Sequence, residues 1–227
     1  WNVNPQEGDG TLYVRSFASL RMTSIPRGYQ PTLDPAGKWL VCRIKPEFAK
    51  TRQERIDKKK KDDQSKDTLA VIDLSSMEVK KFASVDSYSA GAFGMPFVAY
   101  KSSWKAGKKN ESGLILLTPG TWHADTLKHV DNYVFSNSGS LLALTTKEDK
   151  KDSLSATAVV LADYLSGSEA VRLDTLIKGA REYFRPVFDD AEEQLAFTAT
   201  TDSNKTGNKR CGMYLAQILR SAQNDKR

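Results

Sequence analysis

Histidine, cysteine and methionine are scarce in this chain, and each scarcity removes a class of chemistry. There are two histidines, two cysteines and four methionines in 227 residues. His123 and His129, six positions apart, match neither a zinc spacing nor a Ca²⁺ loop, so no metal site and no cofactor is expected. A Ser-His-Asp relay would need one of these two imidazoles, and the connection that holds them reads as surface. The nucleophile elbow G-x-S-x-G is absent, so no catalytic residue is assigned. The strings Ala106-Gly107-Lys108-Lys109 and Thr206-Gly207-Asn208-Lys209 lack the strand-to-helix context of a phosphate cradle. Cys42 lies in an apolar run and reads as a buried thiol, whereas Cys211 begins the last strand; no bridge between them is expected. No run approaches the roughly 18 apolar residues of a membrane-spanning helix. Trp1-Asn2-Val3-Asn4-Pro5 is neither basic nor apolar, so no signal peptide is read there, and the missing initiator Met reads as an excised or truncated start.

What the chain has is a repeat. An apolar residue, a tight polar turn and an apolar strand recur as Leu33-Asp34-Pro35-Ala36-Gly37-Lys38-Trp39-Leu40-Val41, as Phe135-Ser136-Asn137-Ser138-Gly139-Ser140-Leu141-Leu142-Ala143, and as Phe188-Asp189-Asp190-Ala191-Glu192-Glu193-Gln194-Leu195-Ala196. Leu33 and Phe135 are 102 residues apart, two steps of 51, and Phe188 follows after 53. That is the size of one β-propeller blade. The missing copy should fall near position 84, where Ser84 to Gly94 precedes Phe97-Val98-Ala99-Tyr100. Asp or Ser can cap the following N–H groups, and Gly37 or Gly139 can supply the positive φ that closes the turn. Glu192 stands in the place of that glycine, so the third turn is expected to differ. The reading is an all-β partial propeller of about four blades, with another all-β array as the alternative.

Strands are expected at Thr11 to Arg15, then Tyr29 to Leu33, Trp39 to Ile44, Thr68 to Leu74 and Val79 to Phe82. Phe97 to Lys101 and Leu114 to Leu117 follow, then Tyr133 to Phe135, Leu141 to Thr145, Ala158 to Ala162 and Val171 to Leu173. Pro186 to Phe188, Leu195 to Thr198 and Met213 to Ala216 close the series. Lys105 to Ser112 and Lys147 to Ser153 read as charged surface connections, and Ile177 to Arg181 as a short helical turn.

Net charge is +6, and most of it lies in one place: between Arg43 and Lys66 there are ten basic and five acidic residues. The stretch 46–66 has good helix formers and no apolar periodicity, which predicts a solvated helical insertion in a blade, or a lid or docking element. Nucleic-acid binding is not expected, because Phe48 alone is interleaved with the basic residues and acidic ones punctuate the run.

The string Leu33 to Cys42, the insertion Phe48 to Asp63 and the strand Asp67-Thr68-Leu69-Ala70-Val71-Ile72-Asp73-Leu74 resemble the N-terminal propeller of bacterial prolyl oligopeptidase and dipeptidyl-peptidase family serine peptidases. The resemblance covers about residues 10 to 216. In that family the propeller sits over an α/β-hydrolase domain that holds the whole Ser-Asp-His triad. The resemblance therefore implies a non-catalytic part of a serine peptidase that gates and positions peptide substrates, with a hydrolase domain as its partner and an exported, periplasmic or secreted, parent enzyme. A closed ring of the family has seven or eight blades, so about four imply an open arc. Family dipeptidyl peptidases hold the substrate N-terminus with a glutamate pair on an insertion. Here the insertion offers Glu54 alone beside Arg52 and Arg55, which are the candidate substrate contacts.

Residues 1–217 are read as the propeller domain and 218–227 as a non-native or disordered tail. Back-translated and read one nucleotide later, Ile218 to Asp225 can match Ser16 to Thr23 at seven of eight positions, as if one DNA repeat element had been read in two frames. The alternative function is a stand-alone propeller-like binding or scaffold protein.

Overall fold

The computed structural model describes residues 1–3, 8–17, 20–91, 97–106, 109–149, 155–163, 171–179, 181–202 and 209–218. The chain is all-β with one α-helix and divides into two compact units, Trp1–Thr126 and Leu127–Arg227. Each sheet pairs strands that are neighbours in sequence, and the registers of the described residues are antiparallel, the meander of a propeller blade. The first unit opens with a three-stranded sheet of β1 (Asn2–Val3), β2 (Thr11–Arg15) and β3 (Met22–Pro26). A seven-stranded sheet follows: β4 (Gly28–Leu33), β5 (Trp39–Ile44), β6 (Asp67–Asp73), β7 (Val79–Ala90), β8 (Val98–Ala106), β9 (Lys109–Leu117) and β10 (Ala124–Lys128). It is two four-stranded blades that share a strand, since one half of β7 pairs with β6 and the other with β8. The second unit holds a four-stranded sheet, β11 (Val130–Phe135), β12 (Leu141–Thr146), β13 (Ala158–Asp163) and β14 (Arg172–Lys178). A three-stranded one follows, β15 (Glu182–Phe188), β16 (Gln194–Thr200) and β17 (Gly212–Gln217). The partial propeller expected from the repeat is the observed fold class.

Period-2 patterning explains how the blades stack. Strands β5 and β6 are apolar at consecutive positions because both faces are covered. Trp39, Val41, Leu69 and Val71 face a cluster with Val85, Val98, Tyr100 and Leu117. Leu40, Cys42, Ile44, Ala70 and Ile72 face the opposite way, onto Leu12, Val14 and Ile25. The second unit repeats the scheme, with Leu141, Ala143, Val159 and Leu161 against Tyr183, Leu195, Phe197 and Ala199. Close approach has a requirement at Gly28, where a Cβ would stand 2.8 Å from Leu12 Cβ and 3.0 Å from the Ile25 carbonyl oxygen.

The turns behave as read, with one correction. Gly37 and Gly139 have φ of 69° and 75°, and Asp34, Ser136 and Asp189 side chains accept from following backbone N–H groups. Glu192 was expected to force a different third turn. It instead takes φ 57° and donates its N–H to the Asp189 carbonyl at 3.1 Å, as Gly37 does to Asp34. Its carboxylate supplies the reason: it is buried and accepts from the Ser138 N–H and from Ser138 Oγ (2.8 Å), tying two successive turns of the second unit together.

A second repeat escapes the sequence reading. Arg27, Ser84 and His129 all have positive φ, and the carbonyl of each accepts from a donor 18 residues on: Lys45 N, Ser102 Oγ and Lys147 N. Ser84 thus lies at a blade junction within β7 rather than opening a hairpin turn, and residues 92–96 of the expected second turn lie outside the described residues. Three further readings change. Described residues of Lys105 to Ser112 belong to β8 and β9, because the hairpin ladder continues to Ala106 and Lys109 and satisfies the backbone there. Ile177 and Lys178 end β14, paired with Val159 and Ala158, so no helical turn forms there. The β3 and β10 strands were not expected. Ile218 is buried and donates its N–H to the Glu193 carbonyl at 2.7 Å, and 219–227 lie outside the described residues.

Candidate functional site

The insertion between β5 and β6 forms α1 (Phe48–Ile56) followed by a short 3-10 helix, Lys61–Asp63. No acidic residue stands in the first turn of α1 and the Glu47 side chain at its N-cap makes no capping bond; the Asp9 carboxylate instead accepts from the Phe48 N–H at 3.1 Å. Among the three residues singled out in the sequence, Arg52 and Arg55 are exposed on α1 and Glu54 is buried. The Glu54 carboxylate accepts from Ser65 N (2.9 Å) and Ser65 Oγ (2.8 Å), with Lys59 Nζ at 3.5 Å. These hydrogen bonds from Ser65, and the nearby ammonium, hold its pKa below the usual carboxylate range. Glu54 thus clips the return of the insertion to its helix. Arg55, with Tyr29, Phe48 and Thr51, lines a cleft of about 440 Å³; Arg52 does not.

Beside the insertion lies a larger cleft of about 770 Å³. Its floor is a chain of paired charges. Arg43 bonds Asp67 at 2.6 Å and donates to the Asp86 carbonyl at 3.0 Å; Lys66 meets Asp86 at 2.8 Å and Ser103 Oγ; Ser103 donates to Asp86 at 2.8 Å. The Tyr29 hydroxyl donates to Asp67, and burial, followed by this hydrogen bond to the carboxylate, raises its pKa. Arg43 also stacks over the Tyr29 ring, 5.5 Å from its centroid, and its Nε is buried with no partner among the described residues. The Ser103 hydroxyl is thus held between the Lys66 ammonium and an Asp86 carboxylate that the same ammonium pairs. His123 pairs with Asp125 at 3.2 Å on the surface, and His129 sits at a junction. No group of three or more His, Cys, Asp or Glu that could hold a metal occurs among the described residues, and no helix there is long and apolar enough to cross a membrane.

Both units share one device that the sequence reading missed. From β4 onward the first strand of each blade carries a register irregularity: Tyr29/Thr32 in β4, Val85/Ser87 in β7, Val130/Asn132 in β11 and Phe184/Val187 in β15. Bulges re-aim side chains, and the residues left out of register here are Gln30 with Pro31, Asp86, Asp131, and Arg185 with Pro186. The signal was there in two copies, as Tyr29-Gln30-Pro31 and Phe184-Arg185-Pro186, each with a non-glycine φ near 50° before proline. The charged floor of the larger cleft had no such signal, because Arg43, Asp67, Asp86 and Ser103 come from four strands.

No family model and no curated protein matches the chain. Solved structures do. The tricorn protease superposes with a TM-score of 0.51 at 11% identity, over 89% of this chain and 19% of that one. Acylaminoacyl peptidase from Pyrococcus horikoshii gives 0.48 at 9%, over 93% and 34%. The β-propeller domain of the Trilobed protease from Pyrococcus furiosus gives 0.48 at 10%, over 92% and 61%. The chain thus spans from about a fifth to about three fifths of these proteins. At such identities the likeness to the tricorn protease is one of fold.

Proposed function

We propose that this chain is the non-catalytic propeller portion of a prolyl-oligopeptidase-like serine peptidase, which gates and positions peptides for an α/β-hydrolase domain carrying the triad. The carrying observation is the blade array itself: a propeller fold with polar clefts at its bulged strands, in a sequence without a nucleophile elbow. Two further supports are the resemblance of residues 33–42, 48–63 and 67–74 to the family and a fold neighbour that is a protease. In this reading Arg52 and Arg55 reach peptide or the hydrolase domain from α1, and Glu54 acts by holding α1 in place. An exported parent enzyme, periplasmic or secreted, goes with the same resemblance.

The purified chain should leave peptidyl chromogenic substrates intact and take up no serine-directed inhibitor, yet bind peptides. Arg52→Glu with Arg55→Glu should weaken that binding without changing the unfolding midpoint, since both side chains are exposed. The DNA following the Arg227 codon should encode a G-x-S-x-G elbow in one of its frames. Inhibitor-sensitive hydrolysis would overturn the non-catalytic reading; peptide binding with no elbow downstream would instead support the stand-alone binding protein.

A further inference from the structure

The second unit holds a cleft of about 470 Å³ lined by Asn132, Phe184 and Arg185 with polar neighbours that the fold already engages, the Asn132 side chain among them as acceptor of the Tyr133 N–H at 2.9 Å. Two bulged inner strands meet there, bringing Asn132 of β11 and Arg185 of β15 to one wall beside Tyr183, Phe184 and Thr198. Charges around it are mostly accounted for. Asp131 is bound by Lys147, and Lys209 is bound by Glu182 while lying 5.8 Å from the Phe184 ring centroid. Thr198 Oγ1 donates to the Phe184 carbonyl at 3.3 Å. Arg185 differs: it is exposed, and no carboxylate pairs with it among the described residues. Its backbone is held at φ 49° just before Pro186, a conformation unfavourable for a residue with a Cβ. The corresponding residue of β4 is Gln30 at φ 48°, so the backbone belongs to the architecture and the guanidinium is what this blade adds.

We propose that this cleft is a carboxylate-binding site, in which Arg185 takes a peptide carboxylate and Phe184 with Asn132 receives the residue that bears it. A guanidinium matches a carboxylate through two parallel N–H···O bonds, and a half-buried aromatic ring beside it suits an apolar side chain on the same ligand. Asn132 adds an amide able to donate to the second oxygen or to accept from a peptide N–H. Asp131 faces the cleft as well, but Lys147 balances it, so the group left to choose the ligand is a cation. That the ligand is a peptide rests on the function proposed above; that it is a carboxylate does not.

The test titrates the isotope-labelled 227-residue chain, followed by NMR, with N-acetylphenylalanine and separately with its amide. The acid should bind about tenfold tighter than the amide, the worth of one charge-assisted contact. Arg185→Asn removes the charge while keeping a residue that tolerates positive φ, and it should abolish the preference. Arg185→Lys should keep part of it. Equal binding of acid and amide, or a preference that survives Arg185→Asn in a chain with an otherwise native spectrum, overturns the site. A free-acid tetrapeptide should show the same Arg185-dependent preference over its amide. If acetylphenylalanine binds this way and the tetrapeptide does not bind, the carboxylate site stands and the peptidase reading falls.

Discussion

Glu192 offers a stringent test of how the second unit is tied together, because a single side chain there carries two opposed energies. Its φ of 57° is unfavourable for any residue with a Cβ by about 1–2 kcal/mol, while its carboxylate accepts from Ser138 N and Ser138 Oγ. Hydrogen bonds to a charged acceptor contribute about 1.5–3 kcal/mol each. Ser138 is exposed, so water can replace the lost partner and the lower end applies, about 3 kcal/mol for the two. Glu192→Ala keeps the strain and loses the carboxylate, so it should destabilise by about 3 kcal/mol. Glu192→Gly loses the same contacts and relieves the strain, so it should cost only about 1–2 kcal/mol. Gly37→Ala in the first unit, at φ 69° with nothing within 4 Å of an added Cβ, imposes the strain alone and should also cost about 1–2 kcal/mol. Urea unfolding followed by far-UV circular dichroism, with tryptophan fluorescence to report separately on the first unit, where all four tryptophans lie, gives the order: native, then Gly, then Ala. A Glu192→Gly variant more stable than the native chain would refute the reasoning, since the carboxylate contacts would then be worth less than the strain.

Other outcomes follow from packing and ionisation. Gly28→Ala should lower stability by about 1–3 kcal/mol, because its Cβ meets Leu12 Cβ and the Ile25 carbonyl oxygen inside ordinary contact distance; an unchanged urea midpoint would contradict this. Burial pushes the Cys42 thiol up to about 12, whereas Cys211 is exposed, so one thiol should react with an aromatic disulfide at pH 8 in the native chain and the second only on unfolding. Glu54 has a folded pKa below its unfolded one, so its stabilisation is present above the ordinary carboxylate range and is lost as pH falls through the depressed folded value. Amide protection factors across 47–66, which correct for the intrinsic pH dependence of exchange, should accordingly fall in acid, and Glu54→Gln should flatten that dependence; an acid response identical in both would oppose it.

Much of this fold was legible in the sequence because its cause is local. A capping Asp or Ser, a residue able to take positive φ and an apolar run fix a hairpin within about ten residues, and their recurrence at 51 to 53 residues announces blades before any contact is known. The helical insertion was legible for the same reason: a run with ten basic residues between Arg43 and Lys66 cannot be buried. Only tertiary structure decided the rest. Glu192 reads locally as a broken turn, and only the neighbouring Ser138 makes it a tolerated one. Glu54 reads as a solvent-facing carboxylate, yet Ser65, eleven residues on, turns it inward. Arg43, Asp67, Asp86 and Ser103 carry no common spacing, because strand pairing places residues side by side without regard to their separation along the chain. Composition and local turn chemistry thus determined that blades form and where their hairpins lie. Which charges meet between strands, and which are left facing a cleft, is set by register, and register depends on the packing of whole faces at once.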